Sequence, residues 1–162
     1  MMRTGSKGFT LLELVIVLII ISLLVLLITP NLTRTLSHME AKGAAKRIAA
    51  ILRYCRSDAI NKGRVNLVSF DTSSNVVSVS SVDEEEGEPK AQRFYPLPGG
   101  VKMEKIDVGK TLFDSSVPTI EFYRNGGSNG GTASIQGEKG QPYSVRVEML
   151  TGGVKVETPE EK

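Results

Sequence analysis

The stretch that decides the fold is residues 9–29, which read FTLLELVIVLIIISLLVLLIT. Sixteen of the eighteen positions from Leu11 to Ile28 hold Leu, Ile or Val, and the two exceptions are Glu13 and Ser22. About 20 such residues form a helix of roughly 30 Å, which matches the hydrocarbon core of a bilayer. Because apolar residues occur on every face of this helix, the pattern predicts a transmembrane helix over residues 9–29 and not an amphipathic surface helix.

A short basic leader precedes the apolar run. Residues 1–8 read MMRTGSKG, with Arg3 and Lys7 as the charged residues. A secretory signal has its cleavage site after the apolar stretch, at small residues, and residues 29–31 (Thr-Pro-Asn) match such a site poorly. The sequence therefore predicts that residues 1–8 are a leader peptide, that cleavage falls between Gly8 and Phe9, and that the apolar helix stays in the mature protein.

An acidic residue lies inside the start of the apolar run. A carboxylate at the centre of a bilayer costs about 3 kcal/mol, whereas the sixteen apolar residues supply on the order of −8 kcal/mol. Insertion is therefore favoured despite Glu13. Two interpretations remain open: an acid tolerated near the lipid headgroups, or a functional acid that pairs with a cation.

The segment Lys7-Gly-Phe-Thr-Leu-Leu-Glu13 resembles the processing motif of type IV prepilins and of the pseudopilins of type II secretion. The resemblance implies that prepilin peptidase cuts after Gly8, that the new N-terminal Phe9 is N-methylated, and that Glu13 is the assembly residue. Neither a lone ammonium nor a lone carboxylate is tolerated in hydrocarbon. A pair between Glu13 of one subunit and the Phe9 amine of the next would therefore set the register of a filament.

The pattern changes after the apolar run but remains helical. Residues 30–63 predict an amphipathic continuation of the helix, ended by Gly63. Pro30 predicts a helix kink, with a simple helix stop at Thr29 as the alternative. The only cysteine, Cys55, is expected to be a small buried residue of this helix. The predicted apolar face consists of Leu32, Leu36, Met39, Ile48, Leu52, Cys55 and Ala59.

The remaining chain, residues 64–162, predicts a β-rich domain. Alternating and β-branched segments indicate strands near residues 65–70, 76–82, 93–97, 101–106, 119–123, 132–136, 143–149 and 154–157. Pro96 and Pro98 predict that the third of these is an edge strand or a connection. The acidic run at residues 83–88 is expected to be a solvated loop. The predicted fold class is α+β: a long N-terminal helix packed on an antiparallel β-sheet domain.

Residues 120–135, 143–148 and 151–156 resemble the C-terminal domain of the GspH/FimT family. The resemblance implies a minor subunit of a type II secretion pseudopilus that supports protein secretion. Its implied partners are prepilin peptidase, other pseudopilins or pilins, and an inner-membrane assembly platform. The implied location is the inner membrane, with the C-terminal domain in the periplasm. The alternative is a minor type IV pilin for pilus assembly or for DNA uptake.

The glycine-rich run at residues 126–131, GGSNGG, is not a phosphate-binding loop, because no Gly-Lys-Ser/Thr ending follows it. The run predicts a flexible turn with positive φ angles. His38 is the sole histidine and is expected on the exposed stretch of helix beyond the membrane, where no Ser-His-Asp set, Cys-His set or metal cluster can be built with it. We therefore expect no enzyme activity, no cofactor and no metal site.

Charge argues against a nucleic-acid partner. The chain has 20 basic and 18 acidic residues, a net charge of +2, and loss of the leader removes Arg3 and Lys7 and leaves the side chains balanced. A phosphate-binding surface needs clustered, unpaired Lys and Arg. In the C-terminal domain the basic residues alternate with acids instead; they include Lys102, Lys105, Arg124, Arg146 and Lys155.

Overall fold

A computed structural model describes residues 8–82, 89–113 and 115–158, without the side chains of residues 26–35 and 89–91. The acidic run at residues 83–88 lies outside the described residues. The chain divides into two compact units, Met1–Leu36 and Ser37–Lys162. The elements are α1 (Leu11–Lys62), β1 (Val65–Asp71), β2 (Val76–Val82), β3 (Pro89–Pro96), β4 (Val101–Val108), β5 (Thr119–Phe122), β6 (Gly131–Gly137), β7 (Tyr143–Val147) and β8 (Val154–Glu157).

Helix α1 runs without interruption from Leu11 to Lys62, through Pro30. The alternative of a helix stop at Thr29 is therefore wrong, and a kink at Pro30 stays a prediction. The C-terminal end follows the expected chemistry: Gly63 has a φ of +62°, and the Arg64 N–H donates to the Ala59 carbonyl oxygen at 3.2 Å. This is the Schellman arrangement, in which glycine accepts the left-handed conformation that closes the last turn. The predicted end at Gly63 is confirmed.

The eight strands form two antiparallel sheets of four strands, in the orders β3-β2-β1-β5 and β4-β6-β7-β8. We call these the first sheet and the second sheet. The predicted α+β class is confirmed, although the sequence did not specify two sheets. Strand β3 lies at an edge of the first sheet, which is one of the two alternatives that the prolines left open. It begins at Pro89, four residues before the expected start, because β2 and β3 pair back to Val82.

The core of the second unit is formed by one face of α1 and residues from both sheets. Small residues dominate the helix face, which lets the backbone of α1 approach the sheets closely. The buried helix residues are Ala41, Ala44, Ala45, Ile48, Ala49, Leu52, Cys55 and Ala59. Leu36 and Met39, which lie in the earlier half of the predicted apolar face, are 53% and 64% exposed and do not belong to this core.

Cys55 is buried and free, as expected from its position on the helix. Burial raises the pKa of its thiol to about 12, and the nearby Asp58 carboxylate adds to the effect. The thiol is therefore protonated at neutral pH and acts as a small apolar side chain of the core.

Candidate functional site

The N-terminal segment presents the predicted cleavage site openly. Gly8, Phe9 and Thr10 precede the helix and are exposed, and the Phe9 side chain is 80% exposed. A Cβ atom built on Gly8 meets no atom of the described residues within 4 Å. Nothing within the described residues therefore requires glycine at position 8.

Thr10 begins the helix through its hydroxyl. The Glu13 backbone N–H donates to Thr10 Oγ1 at 3.2 Å, and the Leu14 N–H donates to the Thr10 carbonyl oxygen at 3.3 Å. Thr10 and Glu13 have the spacing of a capping box, a signal that the sequence analysis missed. Glu13 lies in the first turn, where the helix dipole stabilises an anion. Its carboxylate is on an exposed residue, so it is accessible to a cationic partner.

The helix that follows is apolar and exposed on all sides. From Leu14 to Val25 the large apolar side chains are 44–57% exposed. The Ser22 hydroxyl donates to the Leu18 carbonyl oxygen at 2.8 Å, so the one hydroxyl in this stretch is satisfied by its own helix. Such a surface needs an apolar environment or a neighbouring helix to cover it.

Among the described residues, no helix has the length and apolarity needed to cross a membrane. The predicted transmembrane helix, residues 9–29, includes residues 26–29, whose side chains lie outside the described residues.

At the start of the second unit, α1 is joined to the turn between β6 and β7. Ser37 Oγ accepts the Lys139 N–H at 3.0 Å and donates to the Lys139 carbonyl oxygen at 3.2 Å. His38 Nε2 lies 2.8 Å from the Tyr143 hydroxyl oxygen. The sole histidine therefore has a structural partner. No group of three His, Cys, Asp or Glu residues in the described ranges could hold a metal ion.

At the other end of this unit, Arg56 joins α1 to two turns. Its Nε donates to the Gly126 carbonyl oxygen at 3.1 Å and to the Thr151 carbonyl oxygen at 2.7 Å. Gly152 has a φ of +61°, and a Cβ there would lie 3.0 Å from Arg56 Nε. The Thr-Gly turn after β7 therefore needs glycine for both its conformation and its contact with Arg56.

The glycine-rich run is buried, although it was predicted as a flexible turn. Gly126 and Gly130 have the expected positive φ angles, but residues 126–130 are all buried. At its centre, Asn129 accepts a hydrogen bond from the Glu121 N–H and donates to the Thr119 carbonyl oxygen, at 2.9 and 3.1 Å. The sequence analysis missed the roles of Asn129, Glu121 and Arg56.

Glu121 is fully buried and holds the segment before β5 against the first sheet. Its carboxylate accepts hydrogen bonds from the backbone N–H groups of Leu112 and Phe113, each at 3.0 Å, and from the Tyr123 hydroxyl at 3.0 Å. These donors satisfy the hydrogen-bonding capacity of the buried carboxylate. The hydrogen bonds to the Glu121 carboxylate therefore fix the position of Leu112 and Phe113.

The basic residues considered for DNA contact lie on several elements. Lys102 and Lys105 are exposed on β4. Arg146 on β7 is paired with Glu157 at 3.0 Å, and Lys155 on β8 is paired with Glu148 at 3.4 Å. Acidic side chains thus neutralise two of the candidate phosphate contacts.

Family models match both parts of the chain. The model described as "Type II transport protein GspH" matches residues 44–153, and the "Prokaryotic N-terminal methylation motif" matches residues 3–29. Type II secretion system protein H of Xanthomonas campestris pv. campestris is 26% identical over 153 residues, which are 94% of this chain and 84% of that protein. Prepilin peptidase-dependent protein A of Clostridium perfringens is 31% identical over 94 residues, which are 56% of this chain and 66% of that protein.

Solved structures share the fold. The minor pseudopilin EpsH from the type II secretion system of Vibrio cholerae has a TM-score of 0.60 at 19% identity, and the match covers 76% of this chain and 99% of that one. The type IV minor pilin FimU of Pseudomonas aeruginosa has a TM-score of 0.54 at 17% identity, covering 76% of this chain and 96% of that one. At this identity the likeness concerns the fold alone.

Proposed function

Because this chain belongs to the GspH family of type II transport proteins and carries the prokaryotic N-terminal methylation motif, we propose that it is a minor pseudopilin of a type II secretion system. The proposal rests on one observation, which is that the same chain contains two characteristic parts. An exposed apolar helix follows an open glycine site, and a GspH domain follows the helix.

The proposed first step is removal of the leader, residues 1–8, by prepilin peptidase, with N-methylation of Phe9. The exposure of Gly8 and Phe9 supports this step, because a protease needs an accessible, extended backbone. The open space around Gly8 supports it too. Glycine at this position has no role in the packing of the described residues, so its proposed role is recognition by the peptidase.

The proposed second step is anchoring in the inner membrane through residues 9–29, with the β-rich domain, residues 64–162, in the periplasm. Residues 30–63 continue the helix between the two. Assembly then buries the apolar side chains of Leu14 to Val25 against other pseudopilins. The proposed register contact is Glu13 with the Phe9 amine of a neighbouring subunit. The inner-membrane assembly platform is the proposed partner for insertion into the filament.

The proposed role is structural and not enzymatic. The alternative roles, a minor type IV pilin in pilus assembly or in DNA uptake, share the same assembly helix. The ion pairs of Arg146 with Glu157 and of Lys155 with Glu148 do not favour DNA uptake. We therefore retain the secretion pseudopilus as the proposed machine.

The test is mass spectrometry of the protein from its own cells, followed by a secretion assay in a strain that lacks it. We expect a mature chain that starts at N-methylated Phe9, and loss of secreted protein in the deletion strain. A strain without prepilin peptidase is the control and should retain Met1 to Gly8. A chain that keeps its leader in normal cells, or normal secretion without the protein, would refute the proposal.

A further inference from the structure

The turn between β7 and β8, residues 148–153, presents two large apolar side chains to solvent. Met149 and Leu150 are 59% and 91% exposed. Turns more often carry Gly, Asn, Asp or Ser, because these residues suit both the backbone conformation and the contact with water. An apolar tip on this turn loses contact with water favourably when a partner covers it.

The turn is held in place from two other parts of the domain. The Ser128 N–H donates to the Met149 carbonyl oxygen at 2.8 Å, and Arg56 Nε donates to the Thr151 carbonyl oxygen at 2.7 Å. Binding of Leu150 by a partner therefore needs little further ordering of this turn, and a preformed apolar side chain of this kind suits the centre of an interface.

A groove with apolar walls lies on the same domain, between α1 and the connection from β3 to β4. Ile48 and Val77 are buried at its base, and Ile51 and Leu97 are half-buried beside them. Arg47 also lines the groove. It is exposed and, in the described part of the chain, has no acidic partner. The groove thus offers apolar carbon atoms with a cation at the rim.

The turn carries the charge that matches this rim. Glu148 directly precedes the two apolar residues of the tip, and its side chain is 48% exposed. Its carboxylate accepts the Thr151 hydroxyl at 2.9 Å and lies 3.4 Å from Lys155 Nζ, which leaves it accessible to a further cation. An apolar tip beside an anion therefore complements an apolar groove beside the cation of Arg47.

The turn and the groove are separate surfaces of the domain. The groove contacts α1 at Ile48, whereas the turn contacts α1 at Arg56, eight residues later. At 1.5 Å per residue the two contacts are about 12 Å apart along the helix axis. A contact between them joins two copies head to tail, with a free turn at one end and a free groove at the other.

We propose that the 148–153 turn of one copy of this chain docks in the groove of a second copy. Leu150 then lies against Ile51 and Leu97, and Glu148 lies beside Arg47. The proposal does not depend on the secretion role, because both surfaces belong to the described part of the β-rich domain and its helix.

The experiment tests this contact by disulfide cross-linking of the full chain in cell membranes. Two differently tagged copies are co-expressed, one with Leu150→Cys and one with Leu97→Cys, and the membranes are oxidised with copper phenanthroline. Cys55 is kept, because its thiol is buried. We expect a cross-linked product that carries both tags.

The matched control pairs Leu150→Cys with Leu112→Cys, which makes the same change at a residue that is 73% exposed and belongs to neither surface. This pair should give no such product. Equal yield from both pairs would indicate random collision and would overturn the proposal. It is also overturned if no product forms, or if Leu150→Cys cross-links only to another Leu150→Cys copy or only to a different protein.

A charge exchange tests the contact between Glu148 and Arg47. Arg47→Glu in the copy with Leu97→Cys should lower the yield roughly three- to tenfold, because two carboxylates then face each other. Glu148→Arg in the other copy should restore the yield, which it could not do if Arg47→Glu had unfolded the chain. An unchanged yield with Arg47→Glu, or a loss that Glu148→Arg does not reverse, contradicts the proposed contact.

Discussion

Asn129 completes the free edge of strand β5, because its side-chain Oδ1 accepts the hydrogen bond of the Glu121 backbone N–H at 2.9 Å. Its Nδ2 donates to the Thr119 carbonyl oxygen at 3.1 Å, and its own N–H donates to the Glu121 carbonyl oxygen at 3.3 Å. Asn129 thus takes the place of a neighbouring strand and leaves β5 with no open ladder at this position.

Asn129→Ala should destabilise the protein by roughly 2–4 kcal/mol, because it leaves a buried N–H and a buried carbonyl oxygen without partners. The measurement is urea unfolding followed by circular dichroism. The matched control is Asn125→Ala, which removes an exposed amide that accepts the Gly127 N–H at 3.0 Å. Similar losses in both variants would show that the burial of Asn129 does not matter.

The Tyr123 phenol should lose its proton at a higher pH than a free tyrosine, and its pKa should depend on Glu121. Burial, followed by the hydrogen bond and charge of Glu121, raises the pKa of Tyr123 from 10.0 to about 12. Because the folded pKa exceeds the unfolded one, the stabilisation is complete below pH 10 and is lost as pH rises towards about 12. Glu121→Gln should lower the pKa. Ultraviolet titration, with Tyr123→Phe to assign the group, checks this; an unchanged profile in Glu121→Gln contradicts it.

Asp58 should make the fold sensitive to acid. Burial opposes its ionisation, but hydrogen bonds from Lys62, Arg64 and Asn66 outweigh burial and hold the pKa of Asp58 well below its usual range. A lowered pKa gives stability that is present above about pH 4 and is lost as the pH falls below it. Asp58→Asn should cost about 1–3 kcal/mol at neutral pH and flatten the acid dependence.

Unfolding by urea at several pH values measures the Asp58 effect. The control is Glu157→Gln, which removes an exposed partner of Arg146 and should change stability much less, since exposed ion pairs contribute little. If Asp58→Asn keeps the full acid dependence, another carboxyl group is responsible.

Gly8→Val should block removal of the leader without changing the fold. The described residues leave room for a side chain at position 8, so we expect the effect to report recognition by the peptidase. Mass spectrometry should find a chain that retains residues 1–8. Gly5→Val, the same change inside the leader, should be processed normally. Cleavage of Gly8→Val at the parent rate would place the recognition elsewhere.

Glu13→Ala should leave insertion and cleavage intact but weaken assembly. Thr10 Oγ1 caps the backbone N–H of residue 13 whatever its side chain, so the helix start is preserved. An unpaired Phe9 amine would then enter the helix bundle, and removing one partner of a buried pair costs about 3–5 kcal/mol.

Incorporation into filaments, measured in a strain that lacks the native protein, checks the role of Glu13. Glu13→Asp keeps the charge with a shorter reach and should be intermediate. Thr10→Ala removes the helix cap but keeps the Glu13 carboxylate. It therefore separates the effect of helix stability from the effect of the proposed Glu13–Phe9 pair. Full incorporation of Glu13→Ala would show that the acid has no role in assembly.

The sequence by itself determined the features that depend on neighbours along the chain. The apolar run predicted the N-terminal helix, and Gly63 predicted where that helix ends. Pro96 and Pro98 predicted an edge strand or a connection, and β3 is an edge strand. These features follow from helix capping, from the missing N–H of proline and from hydropathy, all of which act within a few residues.

Only the tertiary structure decided the features that join distant residues. The alanines of α1, and not Met39, face the core because two sheets pack closely on that side. Glu121 was one acid among many in the sequence; in the structure it is buried with Leu112 and Tyr123 as donors. Asn129 looked like part of a flexible turn until its contacts with β5 were visible. Such roles depend on which groups are desolvated together, and local sequence does not encode that.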